Sequence, residues 1–360
     1  MAIPNYYVPL LRWRAGEYRA LKRLSDACRQ RTVPLIEVLP PDYDFALRQP
    51  KKHIDEQLKP FAKQVEDHWP NRPALIDAVQ IAPSTRMGDG RHPLAFIFDE
   101  ARAKGLDLVP VTALDRDVAY QQSVQGIVAA TGRGIGLRCA LDEALDPDFE
   151  ANVRALLAQL GCPENGVDIL LDLGNPKFDP QDPLVAIIAS VLSSGGIIAS
   201  ARSVTILATS FPDSLMSLQY GLDTLPRREW LLYKALMVAL PGSVRHPGFG
   251  DYAVAAVEFP KGDMRFMRGS PNVRYAIDDA WLVAKAKRQK SNNNHAYPGL
   301  CGAIIASGSF AGAAFSEGSK YIDGCRLGTE KMGNPTTWKW VATNHHITKV
   351  VADLAKLSGT

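Results

Sequence analysis

Glu37, Asp77 and Asp172 each close an apolar run, VPLIE, PALID and VDILLD, and Ser210 closes a fourth, VTILATS. Carboxylates on the ends of separate strands can share a divalent cation. Mg2+ or Mn2+ favours such hard oxygen ligands and leaves positions to water or a substrate phosphate. Two of the acids can instead act as general acid and base, one carboxyl raised in pKa by its neighbour's charge. The structural alternative is an ion pair with an interior arginine. Glu37, Asp77 and Asp172 are therefore both the candidate catalytic acids and the candidate metal ligands.

Arg138 ends the run GIGLR, whose glycines leave room for a long side chain. Its guanidinium suits bidentate contact with a carboxylate or phosphate, either from a ligand or from a neighbouring acid. Arg12 and Arg14 flank the end of the first apolar run, and parity alone does not choose between them; Arg14 joins Arg86, Arg138 and Ser210 as a ligand-binding candidate. Ser210 precedes FPDS, so its hydroxyl and the following N–H groups can hold an anion at a helix start, or can cap that helix. Arg86 sits in the loop STRMGDGRH, which suits a substrate clamp or a solvated surface. His345 and His346 offer a proton carrier near neutral pH. Adjacent helical side chains point about 100° apart, so at most one faces a given site; His346 completes the catalytic set, with a structural role at a helix start as the alternative.

A ring of parallel strands would gather these groups. The apolar runs are short, rich in Val, Ile and Leu, and follow segments of helical pattern, as strands buried on both faces do. Strands are expected over Tyr6–Trp13, Val33–Pro40, Arg72–Ile81, Leu106–Leu114, Gly134–Leu141, Gly166–Gly174, Ser203–Ser210 and Asp251–Glu258. Eight strand-then-helix units in alternation predict an α/β protein built as a (β/α)8 TIM-like barrel. Long loops rich in Pro, Gly and charge follow the second, third and sixth strands, so the C-terminal mouth is the expected working face. Asp251 and Tyr252, opening the eighth strand, would lie at the far end. The barrel core is expected over 1–259. An inserted hairpin comes next over 260–298, with RYAI and AWLVAKAK as arms and Asp278 and Asp279 at the turn. Closing helices fill 299–360, the last opened by Thr343 or Asn344 as N-cap.

Composition narrows the function classes. At 360 residues with 46% hydrophobic and 22% charged residues, the chain reads as folded throughout, and a net charge of +3 does not by itself imply nucleic acid. The N-terminus lacks a basic segment followed by an apolar one, and no apolar run approaches the ~20 residues of a membrane span; a cytoplasmic protein without membrane contact is expected. The five cysteines lie far apart without zinc-site spacing and read as reduced core thiols. Dinucleotide fingerprint, P-loop, HExxH and nucleophile elbow are all missing, so no nucleotide cofactor motif is present. From 261 to 290, eight Lys or Arg stand against three Asp, interleaved with Phe266, Tyr275 and Trp281. That mixture can follow a phosphate backbone and stack bases, or can be one polar face of a packed hairpin.

PLLRWRAGEYRAL with PLIEV, then LLDLG, SFP, RREW, FGDY, FSEGSKYI and WKWVATNHHIT together resemble the phage-type beta protein family, over essentially the whole chain. The resemblance implies the barrel architecture and a phage or phage-defence setting, without an established activity. Where the family pattern is expected to read FS-x-GD, this chain has FSEGS, with Ser319 in the acidic position. Two functions are therefore expected. One is an enzyme that binds a small anionic or phosphorylated ligand at the mouth, with metal-assisted hydrolysis or acid–base chemistry. The other is a non-catalytic module binding a nucleotide, nucleic acid or protein in phage–host conflict.

Overall fold

The structure, a computed structural model, describes residues 6–258, 269–288 and 293–359. Eight strands close into a barrel: β1 (Tyr7–Arg12), β2 (Leu35–Glu37), β3 (Ala74–Asp77), β4 (Leu108–Thr112), β5 (Ile135–Ala140), β6 (Val167–Asp172), β7 (Ser203–Ala208) and β9 (Gly248–Asp251). Every neighbouring pair in the ring is parallel. Helices between the strands, among them α1 (Arg228–Ala239), cover the outer face, so the alternate residues Leu11, Ile36, Ile76 and Ile169 pack outward in a large apolar core. Their neighbours Val8, Leu10, Leu35, Leu75, Val109, Val111, Leu170 and Leu207 fill the barrel itself. The strands thus read as nearly continuous apolar runs because both faces are buried.

Strand parity then sets the direction of the strand-end residues. Arg12, Glu37 and Asp77 are register partners on three adjacent strands, two residues beyond the inward-facing Leu10, Leu35 and Leu75. They therefore point into the barrel at its C-terminal end. Arg138 and Asp172 obey the same rule after Gly136 and Leu170. Gly136 is required there: a Cβ would stand 2.9 Å from Val111 Cγ2.

The eighth barrel strand corrects the expected one. It is GFGD at 248–251, not the expected 251–258, and it ends where Ala253 turns to φ +50°. Its glycines make it a poor strand by propensity, yet a Cβ on Gly250 would stand 2.4 Å from Leu207 Cδ2 and 2.7 Å from Val8 O. Closure of the ring at this seam needs the absent side chain. Asp251 and Tyr252 consequently lie at the C-terminal end, with Asp251 facing outward and Tyr252 packed with the barrel interior.

The expected hairpin is present as β10 (Asn272–Ala276) and β11 (Ala280–Lys285), and a strand not expected, β8 (Gly221–Pro226), adds to it antiparallel with Gly221 opposite Lys285. This three-stranded sheet packs on α2 (Pro335–Ser358) at the side of the barrel. That closing helix begins well before the expected Thr343 or Asn344: Asn334 caps it, accepting from Thr337 N at 3.0 Å, and Pro335 opens it. Asn344 instead joins elements from mid-helix, donating to Ala20 O and accepting from Gly318 N. Among the described residues no helix is long and apolar enough to cross a membrane.

Candidate functional site

Arg138 is the hub of the mouth. Its Nη1 donates to Glu37 Oε1 at 2.8 Å and to Asp77 Oδ2 at 2.9 Å, and its Nε and Nη2 both reach Asp172 Oδ2, at 2.8 and 2.7 Å. Nη2 also donates to the Tyr252 hydroxyl at 3.3 Å, which in turn donates to Asp172 at 2.7 Å. A guanidinium carries five N–H donors, so these contacts use all of them. Burial alone lowers the Arg138 pKa; Asp172, Asp77 and Glu37 more than reverse that and hold it well above the usual arginine value. Burial, then the Asp172 carboxylate, pushes the Tyr252 phenol up.

The acids are braced from outside as well. Asp77 Oδ1 accepts from Val79 N at 2.9 Å and lies 3.6 Å from Arg116 Nη2. Glu37 Oε2 is 3.4 Å from Arg12 Nε and 3.3 Å from Gln80 Nε2. Asp172 Oδ1 accepts from Gly174 N at 2.9 Å. Glu37, Asp77, Asp172 and Arg138 do come together, and the guanidinium occupies the space between the acids. Among the described residues no group of three His, Cys, Asp or Glu side chains is placed to hold a metal ion. A cation in this trio would have to displace Arg138.

Further cations gather on the segment that follows β9. Arg12 donates to the carbonyls of Val257 and Glu258, and Arg274 and Lys339 both donate to Val254 O, at 3.4 and 3.0 Å. The segment after β9 is thus held by three basic side chains. Lys339 pairs with buried Glu17 at 3.1 Å; burial raises the Glu17 pKa and lowers that of Lys339. Arg274 has no carboxylate partner among the described residues, stands 4.9 Å from the centre of the Phe211 ring, and is lowered to about 10 by burial. Arg12 is the open alternative to Arg14, and its parity with Leu10 selects it. Tyr252, Arg274 and Lys339 become mouth residues only through the fold.

The remaining candidates sit elsewhere. Arg14 pairs with Asp42 at 3.0 Å on the surface, and exposed Arg86 turns back on its own loop, donating to Pro83 O and Thr85 O. Ser210 caps the helix α1, accepting from Arg228 N at 3.0 Å, while its own N–H meets Glu229 Oε2 at 3.0 Å. The anion at that position is the chain's own Glu229. His346 is not at a helix start: it lies inside α2, fully buried, with Nε2 2.7 Å from Asp251 Oδ2. Asp251 also accepts from the Tyr7 hydroxyl, and both face outward from the barrel wall. This network is therefore separated from the mouth by the strands themselves. His345 is buried as well, lowered to about 3 by burial, with Ser319 Oγ 3.1 Å from its Nδ1.

In the basic stretch, Tyr275 and Trp281 are buried, and Lys285 holds the carbonyls of Leu215 and Leu218 at 2.6 and 3.0 Å. Neither aromatic ring can stack a base in this arrangement. Phe266, and the whole of 259–268 and 289–292, lie outside the described residues.

Fold and site together define a (β/α)8 barrel with an arginine-centred carboxylate plate at its C-terminal mouth. The chain belongs to the Beta protein family, whose model matches residues 7–352. No curated protein matches it. Membership assigns the family and names no reaction.

Proposed function

We propose that the C-terminal mouth binds a small anionic ligand, one carrying a phosphate or carboxylate, above the Arg138 plate. The observation that carries this reading is Arg274: a cation brought beside the mouth without a carboxylate partner among the described residues, next to Lys339 and the carbonyls of 254–258. A desolvated cation favours an anionic partner because the local dielectric is low and the cost of burial is already met within the fold. In this reading Arg138 is a positioning residue that holds Glu37, Asp77 and Asp172 in place. Glu37, through its loosely held Oε2, is the acid best placed to exchange a proton with a ligand. Mg2+ or Mn2+ belongs to this reading either beside the ligand's phosphate or in the acid trio with Arg138 displaced.

Calorimetric titration with inorganic phosphate tests the proposal. Saturable binding that weakens with added salt and drops at least tenfold in Arg274→Met is the expected result; a flat titration at low salt overturns it. Hydrolysis of p-nitrophenyl phosphate, with and without Mg2+, separates catalysis from binding, with Glu37→Gln as the reporting variant. A second reading, the non-catalytic binding module, is favoured by the complete use of the Arg138 donors: phosphate binding without turnover under either condition selects it. Thermal stabilisation by Mg2+ or Mn2+ that disappears in Asp172→Asn assigns the ion to the trio.

A further inference from the structure

The opposite end of the barrel holds a cavity of about 390 Å3 that the mouth does not share. Its walls come from the starts of the strands: Val8, Leu75, Val109 and Leu170 are inward-facing, and Tyr6 and Val33 complete the apolar lining. In a (β/α)8 barrel this end is ordinarily closed by a packed side-chain layer. Here the volume falls within the ~300–1,000 Å3 of small-molecule sites.

Two features give the cavity chemistry. Thr205 on β7 is 1% exposed and lines the cavity, and its hydroxyl has no hydrogen-bond partner among the described residues. A hydroxyl on the wall of an apolar cavity gives a ligand one directional hydrogen-bond partner and leaves the rest of its surface to apolar contact. The rim is charged but balanced. Arg202 holds Asp168 through Nη2 at 2.6 Å and Nε at 3.0 Å, and Arg133 holds Asp107, with Arg202 Nη1 bridging to Arg133 O at 2.9 Å. Each guanidinium already has its carboxylate. The entrance therefore offers an ion no net attraction, and a charged ligand would lose its hydration without a counter-charge.

We propose that the N-terminal end of the barrel is a second binding site, for a small uncharged and mainly apolar molecule whose single hydroxyl or carbonyl meets Thr205. The apolar body packs against Val8, Leu75, Val109 and Leu170, and the polar group lies at the inner end of the cavity. The Arg–Asp pairs form a collar that excludes ionic ligands. The site is independent of the phosphate reading at the mouth.

The test uses the full chain and p-cresol, one ring with one neutral hydroxyl, monitored by chemical shifts of methyl-labelled Val8, Val109 and Leu170. Saturable shifts of these methyls are expected, with benzoate and benzylamine at least tenfold weaker. Thr205→Val should bind p-cresol about three- to tenfold more weakly while melting close to the wild-type temperature, because it nearly keeps the side chain's shape and breaks no hydrogen bond to the described residues. Val109→Phe should abolish binding by filling the cavity. If that variant does not fold, the wild-type methyl shifts and Thr205→Val decide the matter alone. Unmoved methyls, unchanged affinity in Thr205→Val, or tighter binding of benzoate than of p-cresol overturns the proposal. Arg274→Met should leave p-cresol binding untouched, so failure at one end of the barrel is distinguishable from failure at the other.

Discussion

Two acid-centred networks stand on either side of the same barrel wall. At the mouth, Glu37, Asp77 and Asp172 face inward around Arg138, which keeps 14% of its side chain exposed. Behind the wall, Asp251 faces outward and is sealed between Tyr7 and His346, all at 2% exposure or less. Residue types alone favour the second: an acid, a histidine and a tyrosine in hydrogen-bond contact look more like catalytic machinery than three acids on an arginine. Access reverses the ranking. The sealed group joins β1, β9 and α2 out of a ligand's reach, whereas the arginine plate opens where strand-end groups meet solvent and loops. One step of strand parity, Asp251 against Tyr252, decides which polar residue serves the wall and which serves the mouth.

Breaking the sealed network should have the largest effect. Asp251→Ala strands the Tyr7 hydroxyl and His346 in a dry interior and is expected to lower stability by about 3–5 kcal/mol, read from urea unfolding. If the variant is folded, phosphate affinity should not change. A stability loss under about 1 kcal/mol would erase the distinction between the two networks.

Acid should come next. Burial disfavours the charged form of His345 and pushes its pKa down to about 3 in the folded chain, against about 6.5 for a histidine in the unfolded chain. The unfolded chain therefore binds the extra proton between those values, and this contribution to stability, full above about pH 6.5, falls away as pH drops toward the folded value. His346 is lowered by burial too and acts in the same direction. Melting temperatures measured from about pH 7 to about pH 4 should decline steeply in the wild type and less steeply in His345→Gln. Parallel profiles would show that His345 does not drive the decline.

Arg138→Met sharpens the comparison from the mouth side. Three carboxylates then face one another without the guanidinium, and a loss of about 2 kcal/mol is expected at neutral pH, smaller than in the sealed network because this site borders solvent. A loss under about 0.5 kcal/mol would show that the acids do not depend on Arg138.

The smallest effect is expected from Lys287→Ala, on the edge of the side sheet, where Nζ stands 5.6 Å from the Tyr220 ring centre. A change within about 0.5 kcal/mol is expected, with phosphate binding at the mouth unaltered. Altered binding of single-stranded nucleic acid in a filter assay would bring the basic stretch back as an interface in its own right.

Most of the first half of the chain is legible because each barrel strand there is a local signal: an apolar run bounded by turn residues and ending in a polar group. LIE, ALID and VDILLD predict both the strand and the inward direction of its last residue. GFGD carries no such signal, since its strand exists only through the close approach of Leu207 and Val8 to Gly250. β8 is similar: GLDTLP is polar and mostly exposed, and it becomes a strand only by pairing with β11, about sixty residues away. The onset of α2 has a local signal in Asn334–Pro335, an N-cap before a proline, which lies upstream of the expected Thr343 or Asn344. Arg274 and Lys339 are illegible as mouth residues because they arrive from the side sheet and the closing helix.

What the sequence determined by itself is the barrel and the set of polar groups at its strand ends, because hydrophobic periodicity and strand parity act over a few residues and need no knowledge of distant partners. Tertiary structure alone decided that Arg138 would fill the space among the acids, that His346 would be sealed behind the wall, and that Thr205 would line a cavity. Each of those outcomes depends on distances between segments far apart in the chain, and such distances are set by ring closure and packing, which no local pattern encodes.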